Sequence, residues 1–369
     1  MIGGPDKVVL NSVVTLDDAE RIVRLIGVGS EFIKPLELDL TNAKTSEIGA
    51  GTRIGNALRR YHSNLTVRIP PANGTTISNY IDDHWHLLET SHLGLAVAAH
   101  AHRVEAGTDD ITRAFREHFS PEKPRISHTL VVVPGLHLPG TPTPEERDSF
   151  ATYLISLLNK LRVPAARFDG EALDQLIELT REAVLNIRDH STKTPLAADT
   201  AIQSYLSLSY HPPLDRVSGA VEPLRYYIRN LKRKFTRQQV TGFLEIAIND
   251  DGVGVAARQS QREAIYWAAA PTEELALLAA LQRGGSVKPI AKDAIARGDP
   301  GYGFSVIAQS LRRLNGFASM RTGKYLVVCD GTRYDPMAEG FKVASGRTSS
   351  QLGYLPGTLI QALVPVIAD

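Results

Sequence analysis

Apolar positions in this chain follow two periods, and the alternation between them sets the expected order of elements. Residues 34–40, Lys34-Pro35-Leu36-Glu37-Leu38-Asp39-Leu40, alternate as a strand and break at Thr41-Asn42. Across 49–61, Ile54, Ala57, Leu58 and Tyr61 then fall at helical spacing. Leu65-Thr66-Val67-Arg68-Ile69 reads as a second strand stopped by Pro70-Pro71, and 85–103 as a largely apolar helix. Thr129-Leu130-Val131-Val132-Val133 is a further strand, and 145–161 a helix with Phe150, Tyr153, Leu154 and Leu157 on one face. Strands alternating with helices predict an α/β chain. Proline and glycine crowd into Pro139-Gly140-Thr141-Pro142-Thr143-Pro144, which predicts a boundary between an N-terminal unit, 1–140, and a second unit, 141–369.

The second unit opens on a long amphipathic helix. Leu173, Leu176, Ile177, Val184 and Ile187 form its apolar stripe. Glu182, Asn186 and His190 recur every four residues opposite them, with Asp189 beside them on the polar stripe. The strand 242–250 follows, with Leu244, Ile246 and Ile248 on one face, and Asp250 continues that parity at its end. Its carboxylate therefore emerges beside the core, and Gly252 and Gly254 in D-x-G-x-G spacing let the backbone turn and approach a ligand. Gly298-Asp299-Pro300-Gly301-Tyr302-Gly303-Phe304 leads into a helix through Leu311 and Leu314. A glycine-rich entry of that kind offers free N–H groups and the positive end of a helix dipole to an anion. A last strand, 357–365, is opened by Gly357-Thr358.

Composition excludes some classes. The chain has 369 residues, 43% of them hydrophobic, and a formal net charge of +1, which argues against a protein driven as a whole to nucleic acid or a membrane surface. The basic run Arg225, Arg229, Lys232, Arg233, Lys234 and Arg237 supplies phosphate contacts, but a solvated basic helix gives the same pattern and no zinc-finger or RNP signature accompanies it. One cysteine, Cys329, permits no internal disulfide and no cysteine-based metal cluster. With no membrane-length apolar run and no basic-then-apolar start, a cytoplasmic location is expected.

The ordered set E-x-x-x-N-x-x-D-H on a helix, D-x-G-x-G after a strand, G-x-G before a helix and G-T opening a late strand resembles the GHKL ATPase superfamily of gyrases, heat-shock chaperones, histidine kinases and mismatch-repair ATPases. The resemblance covers about 165–369. It implies an α/β sandwich of the Bergerat type with a mixed sheet, ATP as ligand, and Mg²⁺ held by Asn186. It further implies that Asp250 accepts a hydrogen bond from the adenine amine and that Gly252 and Gly254 admit the base. The loop Gly301-Tyr302-Gly303-Phe304 would cradle the phosphates, Thr358 would support the adenine end, and residues 256–299 would form a lid. Glu182, one turn before Asn186, is placed to polarise a water, and Asp189 is the type found in hydrolysing branches. The N-terminal unit resembles the STAS module, on a strand leading from Leu38-Asp39-Leu40 through Ser46-Glu47-Ile48-Gly49 into a helix. Glu47 and Ile48 stand where regulatory members carry a phosphorylatable serine, so phosphate acceptance is not carried over.

Three functions are therefore open: a slow ATPase acting as a conformational switch for a protein partner or through self-association, a serine/threonine kinase of the anti-sigma-factor type, and a non-catalytic nucleotide sensor.

Overall fold

The strand and helix periods of the first third build a sheet whose described helices pack against one side. The computed structural model describes residues 6–27, 35–46, 49–58, 64–70, 93–119, 125–126, 130–134, 146–161, 168–190, 204–211, 222–236, 239–250, 254–255, 273–281, 303–333, 340–344, 352 and 355–367. The first unit runs β1 (Asp6–Val9), β2 (Val13–Val14), α1 (Leu16–Gly27), β3 (Leu36–Asp39), β4 (Thr45–Ser46), α2 (Ala50–Leu58), β5 (Leu65–Ile69), α3 (Leu93–His100), β6 (Arg103–Ala106), β7 (Asp109–Asp110) and α4 (Thr112–His118). Its sheet is ordered β1-β3-β5-β6-β7; the first four strands are parallel and β7 folds back on β6. Sequential parallel strands need crossovers of one hand, which puts the helices on a common face. On that face Val8, Leu38, Val67 and Val104 share a core with Leu16, Ile22, Ile54 and Leu58. The opposite face carries a ladder of ion pairs: Lys7 with Glu37 and Asp39, Arg68 with Glu37 and Glu105, and Arg103 with Glu105 and Asp110.

The second unit runs β8 (Arg125–Ile126), β9 (Leu130–Pro134), α5 (Arg147–Lys160), α6 (Gly170–His190), β10 (Ser204–His211), α7 (Glu222–Lys234), β11 (Val240–Asp250), α8 (Glu273–Leu281), α9 (Gly303–Arg313), β12 (Phe317–Gly323), β13 (Tyr325–Asp330), β14 (Lys342–Val343) and β15 (Leu355–Ile367). Its eight strands are ordered β14-β13-β12-β15-β11-β10-β9-β8. The chain is thus α/β, but the mixed sheet expected of the second unit is not found: every pairing in this sheet is antiparallel. The reason is the last strand. β11 and β12 point the same way, and β15 inserts antiparallel between them, along nearly the whole of β11 on one side and β12 on the other. The mixed sheet is the five-stranded one.

Two other expectations shift. β9 precedes the Pro139–Pro144 link yet pairs with β10, so the chain enters the larger sheet upstream of residue 140, between Phe119 and Arg125; the link itself lies outside the described residues. The apolar helix expected over 85–103 ends at His100, because Arg103–Ala106 is drawn into the sheet beside β5.

Both faces of the central strands are buried. In front, Leu244, Ile246, Ile248, Met320, Ile360 and Val364 share a core with α5, α6, α8 and α9. Behind, α7 covers one part through Leu224, Tyr227 and Leu231 against Phe243, Phe317 and Leu363. α1 and α2 cover another, with Val23 and Ala57 against Ala247, Leu355 and Leu359. The layers are therefore five-stranded sheet, helices, eight-stranded sheet, helices. No helix among the described residues is long and apolar enough to cross a membrane. Cys329 is buried, and that burial pushes its thiol up to about 12.

Polar side chains cross the rear boundary. Arg321 of β12 is 0% exposed and donates Nε and Nη2 to the two carboxylate oxygens of Glu20 in α1, at 2.9 and 3.1 Å. Its Nη1 reaches the carbonyls of Gly323 and Tyr325. Arg53 of α2 donates to the same Glu20 at 2.9 Å, Asn249 donates to Asn56 at 2.7 Å, and Gln361 donates to the Gly49 carbonyl and to Glu245. A buried charge is tolerable only when paired, and breaking one side of such a pair costs about 3–5 kcal/mol. Glu20→Gln strips the counter-charge from two buried guanidiniums, so urea unfolding should show a loss of about that size. A midpoint within error of the parent's would mean that the two units are not held by this cluster.

Candidate functional site

At one end of the front face the apolar rows of three strands finish in polar residues. Thr322 of β12, Thr358 of β15 and Asp250 of β11 are successive register partners, a row crossing the sheet at one level. Each continues the parity that buries its strand: Met320 before Thr322, Ile360 after Thr358, Ile248 before Asp250. Asp250 is 1% exposed, and Thr358 and Thr322 are as deeply buried. The hydroxyl Oγ1 of Thr358 has no hydrogen-bond partner among the described residues.

Over this row the backbone after β11 folds closely. Gly254 has φ +85°, and a β-carbon there would lie 2.6 Å from the Thr322 hydroxyl and 2.8 Å from the Gly357 carbonyl, so the position excludes any side chain. The next amide, Val255 N–H, donates to Thr322 Oγ1 at 2.9 Å. The expected trio Asp250, Gly254 and Thr358 is brought together, and Thr322 joins it as a residue that the motif search missed. Its signal was available in the parity Ala318, Met320, Thr322 just before the turn at Gly323-Lys324.

The second cluster lies between α6 and α9. Asn186 is 4% exposed, and its carboxamide lies over Gly303, the first residue of α9. A β-carbon at Gly303 would fall 2.5 Å from Asn186 Nδ2 and 2.7 Å from Oδ1. Sequence places these residues more than a hundred positions apart; packing of α6 on α9 puts the amide at a helix N-terminus, where unsatisfied N–H groups and the dipole favour an anion. Asn186 Nδ2 has no partner among the described residues. Phe304, the next residue, is buried edge-on against Phe341, so it acts as packing. α9 turns back through Asn315-Gly316 into β12, which orients its first residue toward the end of the sheet that carries Thr322.

Glu182 lies on α6 one turn before Asn186, and its carboxylate accepts Nη1 of Arg181 at 3.0 Å, while Arg181 also bridges Glu178. Asp189 belongs to α6, but its side chain, like Gly252, Gly301 and Tyr302, lies outside the described residues. So does most of the expected lid. Its described part is α8, whose Leu277, Ala280 and Leu281 belong to the front core. Among the described residues no cluster of three or more His, Cys, Asp or Glu could hold a metal ion.

A groove with about 480 Å³ of empty space lies elsewhere, behind the sheet, between α1–α2 and α7, with Phe317, Leu326 and Leu363 on its floor and Arg53, Glu245 and Gln361 at its polar side. There Gln361 donates to Glu245 and Arg53 to Glu20, and none of the expected site residues lines the groove, so the front row, where Asp250, Gly254 and Thr358 meet, is the candidate site. Comparison with protein-family models, curated proteins and solved structures found no match.

The contact between Gly303 and Asn186 makes a double-mutant test. Gly303→Ala alone should destabilise by about 1–3 kcal/mol through overpacking. In an Asn186→Ala background the same change should be neutral or stabilise by up to about 1 kcal/mol, the ordinary helix preference for alanine. Equal effects in both backgrounds would contradict the packing described.

Proposed function

We propose that this chain is a Mg-ATP-binding protein of the GHKL type, working as a nucleotide-dependent switch with slow turnover. The observation that carries the proposal is the row Thr322, Thr358 and Asp250 beneath the backbone of Gly254: a carboxylate and hydroxyls at the end of an apolar floor, with a glycine where a flat ring would need to approach. In this reading Asp250 accepts from the adenine amine, and Thr358 and Thr322 complete the polar edge around it. Asn186 and the first N–H groups of α9 face the phosphates. Bound Mg²⁺ would neutralise phosphate charge, and Asn186 Oδ1 is a suitable hard ligand for an ion whose shell is otherwise filled by phosphate and water. The partnerless atom of Asn186 is Nδ2, a donor suited to a phosphate oxygen, which leaves Oδ1 as the atom that would meet the ion; at the adenine end the Thr358 hydroxyl also lacks a partner among the described residues.

Arg181 bears on turnover. The Arg181 guanidinium occupies one carboxylate oxygen of Glu182 at 3.0 Å, so that oxygen is open to a water only when Arg181 lets go. That ion pair also favours a second reading, a nucleotide sensor that binds without hydrolysis. The switch reading draws on the rear of the sheet, where each site residue has a chain neighbour that touches the N-terminal unit: Arg321 beside Thr322, Asn249 beside Asp250, Leu359 beside Thr358. A shift of these strands on one face is therefore a shift on the other. The protein that reads such a shift is a partner or a second copy of the chain.

Calorimetry with Mg-ATP should give saturable binding to the parent. Asp250→Asn should weaken it at least tenfold, since a hydrogen bond to a charged group contributes about 1.5–3 kcal/mol. Glu182→Ala should bind ATP as the parent does yet release phosphate about 10²–10⁴-fold more slowly, whereas Asn186→Ala should lose both. Unchanged affinity in a folded Asp250→Asn variant contradicts the site. A parent that binds but releases no phosphate selects the sensor, and label transferred from γ-phosphate to protein selects the kinase.

A further inference from the structure

The exposed side of α7 has no part in the nucleotide site, and its chemistry is specific. The helix buries Leu224, Tyr227, Ile228 and Leu231 against the rear of the sheet. The opposite side presents Arg225, Tyr226, Arg229, Lys232, Arg233 and Lys234, all exposed. The helix contains one acid, Glu222, at its first position. Among the described residues no carboxylate pairs with Arg229, Lys232 or Arg233. Arg333 adds a further cation from the turn after β13, its charge shared with Asp330 at 3.2 Å.

The macrodipole explains only part of this. Lys232, Arg233 and Lys234 sit in the last turn, where cations are favourable; Arg225 lies one turn from the positive end, where they are not. The spacing is also regular. Arg225, Arg229 and Arg233 are each four residues apart, so their stems step along one side of the helix by about 6 Å at a time, a step comparable to that between successive phosphates of an extended nucleic-acid strand. Beside the stripe, Tyr226 is 42% exposed, with the guanidiniums of Arg229 and Arg333 at 5.5 and 5.7 Å from its ring centroid. An exposed aromatic ring flanked by arginines is the arrangement on which an unpaired base stacks while the cations meet its phosphates.

We propose that the exposed side of α7 binds a single-stranded nucleic acid, its phosphates on Arg225, Arg229, Lys232 and Arg233 and a base on Tyr226. An anionic membrane offers the same charge but fits less well. Peripheral binding to a bilayer draws on an apolar side to insert, and the apolar side of α7 is consumed by the core. This proposal is independent of the nucleotide assignment, because α7 packs behind the sheet and the row of Thr322, Thr358 and Asp250 faces forward.

Anisotropy of a labelled single-stranded 20-mer, read across a salt series with the full chain, tests it. Binding should weaken with salt with a log–log slope of about −2 to −3, and each arginine removed should reduce the slope by about 0.7. Arg229→Ala/Lys232→Ala/Arg233→Ala should lose at least tenfold in affinity at the lowest salt. Tyr226→Ala should weaken the single strand while leaving a duplex of the same sequence unaffected. These surface changes should leave thermal unfolding as in the parent, which separates lost contacts from lost fold. No binding of the strand at low salt, an affinity unchanged in the triple variant, or binding to anionic phosphatidylserine vesicles without binding to the strand would each overturn the proposal.

Discussion

Burial of three strands on both faces is the constraint from which the rest follows. β11, β15 and β12 form the middle of an antiparallel sheet, and helices pack against both of their faces. Antiparallel sheets commonly leave one face solvated, and these strands carry the polar alternation that a solvated face would have: Glu245 and Asn249 on β11, Arg321 on β12, Gln361 on β15. Here those residues are buried instead. Each must then find a hydrogen-bonding partner, because an unmet buried charge or amide costs more than most packing returns. For Arg321, Asn249 and Gln361 the partners come from the N-terminal unit, namely Glu20, Asn56 and the Gly49 carbonyl, while Glu245 is met by His211 and Gln361 of its own sheet. The N-terminal unit is therefore a required layer of the fold. In the first unit α1 and α2 are in turn covered on both sides, by their own sheet and by the second one.

The same alternation places chemistry on the front. Because successive residues of a strand point to opposite faces, anchoring Arg321, Asn249 and Leu359 behind fixes Thr322, Asp250 and Thr358 ahead. Position at the candidate site is thus set by contacts on the far side of the sheet, and the two cannot move independently. The proposed switch draws on that coupling, and on the front face the Arg181–Glu182 ion pair holds the carboxylate one turn before Asn186.

Much of this was legible in local pattern. The parity of Leu244, Ile246 and Ile248 located the face of Asp250, and the stripes of α6 located Asn186. What local pattern could not carry was partnership at long range. Glu20 and Arg321 are 301 residues apart, and nothing near either one announces the other. The insertion of β15 between β11 and β12 is likewise a matter of topology: a parallel crossover through α9 reads as part of a mixed sheet until a distant strand enters it. Thr322 was overlooked because it belongs to no glycine-marked motif, and β6 because its alternation lasts only four residues, Arg103–Ala106, and only two residues separate it from the helix.

The central claim, that one sheet joins a nucleotide on its front to the N-terminal unit behind, is tested most directly by hydrogen exchange of the unaltered chain with and without a non-hydrolysable Mg-ATP analogue. The account predicts slowed exchange at Val255 and the first turn of α9, accompanied by a change in α1 and α2, which touch only the rear. Protection at the front with no change in α1 and α2 would contradict the coupling, and no protection at Val255 or α9 under saturating nucleotide would contradict the site.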